Sequence, residues 1–243
     1  ISLSWYWARI FKRSSSLGYP EGGFQNLAQK IADNLDINYD ISINNIKHLN
    51  NKFIINTKNK NYSFDKLIFT LSFSQLKNYF PEVTIPELKY LGAVNLVLAM
   101  KQPFLKDTYW LNINDRKYPF LAVVEHTNFI DKSHYSNQHL LYIGNYLPKD
   151  HKYFSYTAKQ LFQEFLPYLK KINPNFTEVS VLDQWIFGAP FAQPVMHTGY
   201  KHLLSDICHL PSNLHVANMQ LVYPWDRGTN YAVESGRKSA EAI

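Results

Sequence analysis

The first third of the chain carries one amphipathic helical pattern, followed by short stretches of strand character. Apolar side chains recur at helical spacing at Phe24, Leu27, Ala28, Ile31 and Leu35. Strand-like stretches follow at 39–43, 46–49 and 53–57, and a largely apolar run at 66–71 is typical of a buried strand. These patterns predict a helix and then a small group of strands.

The middle of the chain alternates apolar and polar residues in a way that predicts an antiparallel meander. Between turn signals, strands are predicted at 91–100, 109–113, 120–126, 139–144 and 179–187. An amphipathic helix is predicted over 156–171, and a turn-rich apolar loop over 187–196. The fold class that follows is mixed α/β, with a largely antiparallel sheet in the middle of the chain.

Composition narrows the class of protein. The 243 residues, 46% of them hydrophobic, can bury one large core or two modest ones. The net charge of +6 comes from dispersed lysines rather than from a contiguous basic patch, so no nucleic-acid partner is expected. No apolar run reaches the roughly 18 residues of a membrane span, so none is expected.

Cysteine and histidine usage adds two expectations. The single cysteine, Cys208, cannot form an internal disulfide and fits a reducing cytoplasm. His197, His202 and His209 lack the spacing of metal ligands, so no metal site is expected.

The C-terminal stretch, residues 222–243, predicts a strand end, a tight turn and a helix. The turn occupies 224–228, and Thr229 and Asn230 stand where the helix begins. A helix N-terminus exposes N–H groups and carries partial positive charge, so it attracts an electron-rich or anionic ligand. A small-residue face that can lie close against a sheet is formed along the helix by Ala232, Val233, Gly236 and Ala240. An ordinary C-terminal helix with a polar cap would share these features.

The order of motifs along the chain extends this interpretation. Gly22 and Gly23 precede the first helix, and a strand, a hairpin and a buried strand follow before the C-terminal turn and helix. This order, together with the sequence at 222–243, resembles the superfamily of flavin amine oxidases, protoporphyrinogen oxidases and phytoene desaturases. The resemblance implies an FAD-dependent oxidoreductase that transfers hydride from an organic small-molecule substrate, as amine oxidases or desaturases do, to FAD.

The resemblance also implies where the cofactor would be contacted. Backbone N–H groups near Thr229 and Asn230 would face flavin O2 and N1, where charge collects on the reduced flavin. The residue at the Ile46 position would contact the adenine through its backbone. The cofactor-binding residues implied in this way are Ile46, Thr70, Asp226, Arg227, Gly228, Thr229 and Asn230.

The glycine-rich turn with which these flavoproteins hold the FAD pyrophosphate does not occur in the sequence, because no Gly-x-Gly-x-x-Gly is found. The chain is therefore interpreted as the C-terminal portion of such a protein. A missing N-terminal segment or a partner chain would supply the pyrophosphate site. A degenerate relative that never bound FAD is the alternative. The implied division is a helical lead-in at 1–17, FAD-domain segments at 18–75 and 210–243, and an inserted substrate domain at 76–209.

Departures from the amine-oxidase pattern bear on the substrate. Asn95 stands where many amine oxidases carry a lysine, and Gly228 stands at the position of one residue of their aromatic cage. No cysteine stands where some relatives attach FAD covalently. These departures favour non-covalent FAD and hydride abstraction from a larger apolar substrate. A flavin-dependent isomerase of the sugar-mutase type and a non-catalytic fragment remain as alternatives.

The substrate cavity is expected to include Asn95, Tyr109 and Gln193, the last within the loop that precedes the final FAD motif in relatives. Glu125 and His126 could do acid–base work. A strand end that satisfies its own polar groups explains this pair equally simply and is favoured, so no catalytic residue is predicted.

Overall fold

The computed structural model describes residues 1–12, 16–225 and 227–242. The chain divides into two compact units. The first unit combines Ile1–Leu88 with Val195–Ile243, and the second is Lys89–Pro194.

Within the described residues the chain forms six α-helices and ten β-strands. The helices are α1 (Leu3–Phe11), α2 (Gly23–Ala32), α3 (Phe73–Tyr79), α4 (Ala158–Ile172), α5 (Tyr200–Ser205) and α6 (Thr229–Glu241). The strands are β1 (Ile43–Leu49), β2 (Lys52–Thr57), β3 (Asn61–Phe64), β4 (Leu67–Phe69), β5 (Tyr90–Met100), β6 (Trp110–Asn112), β7 (Ala122–Glu125), β8 (His139–Leu147), β9 (Val181–Pro194) and β10 (Leu214–Val216). The prediction of a mixed α/β fold with a largely antiparallel sheet is confirmed.

The first unit contains two small sheets. Strands β1, β2 and β3 form an antiparallel sheet, and β4 pairs in parallel with β10, which lies far away in sequence. An apolar core forms around Phe53, Phe73, Leu76 and Phe80. The turn before α2 requires glycine, because Gly22 has φ +76° and a Cβ there would stand 2.7 Å from the Asn26 side-chain nitrogen.

The second unit is one antiparallel sheet covered on one face by α4. The strand order is β6-β7-β8-β5-β9. Helix α4 begins with a capping box between Thr157 and Gln160. A threonine followed three residues later by a glutamine favours this arrangement at a helix start. Its buried side chains pack on alternate residues of β5, including Leu96 and Leu98, to form the core of the unit. Alternation along the strand therefore places Asn95 and Val97 on the face away from α4.

Two local predictions for the second unit are wrong. The sheet is not a simple meander, because β5 lies between β8 and β9 and pairs with both. The turn-rich loop expected over 187–196 is strand through Pro194, because its backbone pairs with the first residues of β5. Pairing with a distant strand outweighs the local turn propensity of its glycine and prolines. In the first unit, the strand expected at 39–43 begins only at Ile43.

Candidate functional site

A cleft of about 550 Å³ opens in the first unit, beside the N-terminal half of α6. Three elements form it: the residue that follows β4, the segment after β10, and α6 with the residues just before it. The residues that line it are Thr70, Ala217, Asn218, Met219, Val222, Arg227, Gly228, Thr229, Ala232, Ser235 and Gly236.

Backbone hydrogen bonds fix the wall made by the segment after β10. The Ala217 N–H donates to the Phe69 carbonyl over 3.0 Å, which continues the parallel pairing of β10 with β4. One residue on, the Asn218 side-chain amide donates to the Leu71 carbonyl over 3.0 Å. The chain is therefore held to the carboxyl end of β4 on two consecutive residues. This edge of a parallel sheet is where α/β folds bind ligands.

A buried glutamine holds the same wall from behind. Gln220 is 1% exposed, and its side-chain oxygen accepts the N–H of Phe73, the first residue of α3, over 3.0 Å. Its backbone carbonyl accepts the Tyr200 hydroxyl over 3.0 Å. Both contacts are buried, so they link the cleft wall rigidly to α3 and α5.

The opposite wall is the start of α6. The first intrahelical bond runs from the Ala232 N–H to the Gly228 carbonyl. The N–H groups of Thr229, Asn230 and Tyr231 precede that bond, and the glycine at the cap position has no side chain to accept from them. Positive helix-dipole potential and the nearby Arg227 guanidinium favour an anionic or electron-rich group in the cleft.

Gly236, about two turns into α6, lines the cleft without being needed for packing among the described residues. Among the described residues, no heavy atom lies within 4 Å of where its Cβ would stand. Glycine inside a helix costs roughly 0.5–1 kcal/mol relative to alanine. Contacts among the described residues therefore do not account for a glycine at this position.

The structure brings four of the predicted cofactor residues to this cleft: Thr70, Arg227, Gly228 and Thr229. Asn230 lies in the first turn of α6, where its side-chain oxygen is 2.7 Å from the position of a Cβ on Gly228. Ile46 is buried in β1 as part of the core of the unit, and it does not line the cleft. Asp226 lies outside the described residues. The role of each of these residues as a cofactor contact stays a prediction.

The predicted substrate residues all lie in the second unit. Asn95 is half-buried in the middle of β5, opposite Gly144 on β8. Tyr109 precedes β6, and its ring packs 5.0 Å from that of Phe129. Gln193 lies near the end of β9, where its side-chain amide donates to the Pro194 carbonyl over 2.9 Å. Their role in a substrate cavity stays a prediction.

Glu125 behaves as the end of a strand. Its fully buried carboxylate accepts the N–H groups of Phe104 and Leu105 over 2.8 and 3.2 Å, and the Thr127 hydroxyl over 2.9 Å. Burial raises the pKa of Glu125, and these hydrogen bonds partly offset the rise. The carboxylate thus organises a loop about twenty residues earlier in the chain, a contact that local sequence pattern does not indicate.

Its neighbour His126 begins a short 3₁₀ turn, so the two side chains diverge. The His126 Nε2 atom lies 2.7 Å from the Tyr135 hydroxyl. Burial lowers the pKa of His126, so the neutral imidazole is favoured. Both residues of the pair are therefore occupied with partners inside the second unit.

Sequence reasoning did not find the cleft residues of the segment after β10, among them Asn218 and Met219. The sequence signal was weak, because asparagine is common at the start of many short turns. In the structure the Asn218 side-chain oxygen accepts the Gln220 N–H over 3.1 Å. Within the described part of the chain, no cluster of three or more His, Cys, Asp or Glu residues could hold a metal ion. No helix among the described residues is long and apolar enough to cross a membrane.

The sequence matches the flavin-containing amine oxidoreductase family over residues 6–243. The chain therefore belongs to that family, and the predicted relationship is confirmed. FAD is the cofactor that this membership implies. No curated protein matches the sequence significantly.

Solved structures share the fold. A protein assigned as a protoporphyrinogen oxidase from Exiguobacterium sp. 255-15 is similar with a TM-score of 0.78 at 15% identity, covering 97% of this chain and 54% of that one. Reduced UDP-galactopyranose mutase is similar with a TM-score of 0.63 at 16% identity, covering 92% and 51%. Putrescine oxidase bound to putrescine gives 0.63 at 12% identity, covering 90% and 52%. The chain spans about half the length of these proteins, and at such identities the likeness shows the fold.

Proposed function

We propose that this chain is the C-terminal part of an oxidoreductase that transfers hydride from an organic substrate to non-covalently bound FAD. Family membership supports the cofactor, and the cleft beside α6 supports its position. The observation that carries the proposal is the combination of the uncapped start of α6 with a glycine, Gly236, that no neighbour within the described chain requires.

The residues of the cleft suit an electron-rich ring system with anionic character. The N–H groups at the start of α6 can donate to it, and Arg227 adds a fixed positive charge. The cleft surface is otherwise largely apolar and lies at the end of β4, beside Thr70. When bound, FAD supplies the hydride acceptor, and the chain supplies orientation and electrostatics. We extend the proposed contacts to Ile46, Asp226 and Asn230, as the family resemblance implies.

We further propose that a complementing segment completes the first unit. This segment would be a parallel strand with a glycine-rich turn, from the same polypeptide or a partner chain, and it would hold the FAD pyrophosphate. The support is the pairing of β4 with β10, since parallel sheets occur almost only with several strands and both faces covered. Exposed apolar side chains on α1 and α2, such as Trp7, Phe11 and Ile31, give further surface for it to cover.

We propose that the substrate domain, predicted at 76–209, contains the second unit. The FAD-binding segments, predicted at 18–75 and 210–243, then fall in the first unit. The two compact units support this division, with bounds after Leu88 and Pro194. The helical lead-in predicted at 1–17 contains α1.

Gly236→Ala tests the proposed cofactor position. Alanine should raise the stability of the chain by roughly 0.5–1 kcal/mol, because it removes a helix-interior glycine. In the protein with its complementing segment, the same change should lower the FAD retained on purification. The matched control is Val233→Ala, an exposed position on the same helix outside the cleft. Unchanged FAD content in Gly236→Ala, with normal folding, would contradict the proposal.

The mutase alternative has one observation in its favour, the fold shared with UDP-galactopyranose mutase. A nucleotide diphosphate substrate needs a strongly basic cavity, and the second unit should then carry arginine or lysine on the sheet face away from α4. The paired residues of that face, described in full, include neither. Titration of the flavin-loaded protein with UDP-galactose should therefore leave the flavin spectrum unchanged.

A further inference from the structure

Strand β9 is the last strand of the second unit's sheet, and one of its two edges is unpaired. The strand is 14 residues long and pairs with β5 along one edge. Among the described residues, no strand pairs with its other edge. A long unpaired edge presents a row of N–H and C=O groups to which a further strand can add.

The contact between Asp183 and Gln184 shows which backbone groups face the unpaired edge. The Gln184 N–H donates to the Asp183 carboxylate over 2.7 Å, so this N–H points away from the ladder with β5. The backbone groups of successive residues in an antiparallel strand alternate between its two edges. The N–H and C=O groups of Ile186 and Gly188 therefore also point to the unpaired edge.

Two residues limit the stretch of this edge that is open to pairing. At one end the Asp183 carboxylate already binds the Gln184 N–H. At the other end Pro190, the next residue after Gly188 in the same alternation, has no N–H to donate. The edge is thus open from the Gln184 carbonyl to Gly188, and Ile186 lies at its centre.

Two copies of this stretch are complementary to each other in antiparallel pairing. With a twofold axis at Ile186, the Ile186 residues of the two copies exchange both of their backbone hydrogen bonds. In the same register the Gly188 N–H meets the Gln184 carbonyl of the other copy. These bonds leave the contact between Asp183 and the Gln184 N–H undisturbed.

The side chains match in this register as well. Trp185, which is 41% exposed, lies opposite Phe187 of the other copy, which is 60% exposed, and the symmetry makes this pair twice. Aromatic residues directly opposite each other stabilise a strand pair. Asp183 lies opposite Ala189, so no like charges meet. Each copy therefore covers exposed aromatic rings of the other.

We infer that two copies of this chain associate through the unpaired edges of β9, which joins their five-stranded sheets into one sheet with a twofold axis at Ile186. The same surface of each copy forms the interface, as in most symmetric dimers. This association is independent of the proposed flavin site, because every contact that it uses lies in β9.

Sedimentation equilibrium of the 243-residue chain and of two variants at one position tests the register. Because the interface is smaller than a standard protein interface, we expect a dimer with a Kd on the order of 10 µM. Ala189→Asp places a carboxylate opposite Asp183 of the other copy, so the dimer should weaken about threefold or more, because the repulsion occurs twice. Ala189→Lys, at the same exposed position, should strengthen the dimer instead. In an Asp183→Asn background, most of the difference between these two variants should disappear.

The aromatic pairs are tested separately. Phe187→Ala should weaken the dimer about fivefold or more, since aromatic pairs contribute about 0.5–1.5 kcal/mol each beyond area burial. The control is Leu182→Ala, an exposed position of β9 beyond the open stretch, which should dimerise as the unchanged chain does. Circular dichroism identifies the variants that fold as the parent does, and only these are compared.

Three outcomes would overturn the inference. The first is a chain that stays monomeric at about 100 µM, tenfold above the expected Kd. The second is equal dimer affinity of Ala189→Asp and Ala189→Lys. The third is self-association that is lost when the complementing segment is present, which would make that segment the occupant of the edge. The readout is mass and not flavin content, so a failure of the proposed function is distinguishable from a failure of this inference.

Discussion

Asn95 and Gly144 face each other across the ladder of β5 and β8, and the Asn95 Oδ1 atom occupies the space that a side chain on Gly144 would need. A Cβ at position 144 would stand 2.5 Å from this oxygen, so the Asn95 side chain would have to move to make room for it. The backbone of Gly144 does not adopt a positive φ. The glycine is therefore explained by the close approach of Asn95 and not by a backbone conformation that only glycine adopts readily.

The pair predicts a change of sign in a double-mutant cycle. Gly144→Ala should destabilise the chain by about 1–3 kcal/mol, because the Asn95 amide must leave its position. In an Asn95→Ala background the same substitution should stabilise by several tenths of a kcal/mol, because a strand glycine is replaced without a clash. Urea unfolding of the four proteins measures the coupling. Equal effects of Gly144→Ala in both backgrounds would show that Asn95 is not the obstacle.

Gln220→Leu should destabilise the chain by about 1–3 kcal/mol. The substitution leaves the buried Phe73 N–H without its acceptor, and the cost of an unsatisfied buried donor lies in that range. Gln25→Leu, at an exposed position of α2, is the control and should change stability by less than about 0.5 kcal/mol. Urea unfolding midpoints measured by circular dichroism compare the two variants. Similar midpoints for both would refute the role of Gln220 in holding the cleft wall to α3.

Glu125→Gln should become relatively more stabilising as pH rises. Because burial raises the pKa of Glu125 above its unfolded value of about 4.3, the folded state favours the protonated carboxyl. The native protein therefore loses stability relative to the glutamine variant as the pH rises from the unfolded-state pKa of about 4.3 towards the raised folded-state pKa. Unfolding free energies of both proteins between acid and neutral pH give the difference. If the native protein instead became more stable relative to the variant over this pH range, the direction of the pKa shift would be contradicted.

Local pattern predicted some elements closely and missed others for physical reasons. Helix α6 begins at Thr229 as expected, because the turn before it and the small-residue face after it are both local signals. The position of β5 between β8 and β9 depends on pairing across about ninety residues of chain, which no local pattern encodes. For the same reason, the cleft was predicted from its α6 side, whereas the wall at Asn218 became visible only in the structure.

The chain by itself should bind FAD weakly. In the proposed site, Thr70, Arg227 and the start of α6 would supply only part of the cofactor contacts. A pyrophosphate gains much of its affinity from a glycine-rich turn at a helix N-terminus. Titration of FAD with the chain, followed by quenching of flavin fluorescence, should show no sub-micromolar binding. Sub-micromolar binding would mean that no complementing segment is needed.

The central claim is that the cleft at the start of α6 holds the flavin, and Gly228→Val tests it most directly. Gly228 has an extended backbone that valine can adopt. The added side chain occupies space beside the α6 N-terminus and also moves the Asn230 side chain, whose Oδ1 atom is 2.7 Å from the position of a Cβ there. Thr229→Ala is the matched control, because it keeps the backbone N–H that the site uses.

The measurement is the ratio of FAD to protein after purification with the complementing segment, on variants whose urea midpoints match the parent. We expect Gly228→Val to lose most of its FAD while Thr229→Ala retains it. Equal FAD content in Gly228→Val and the parent protein would contradict the placement of the cofactor at this turn.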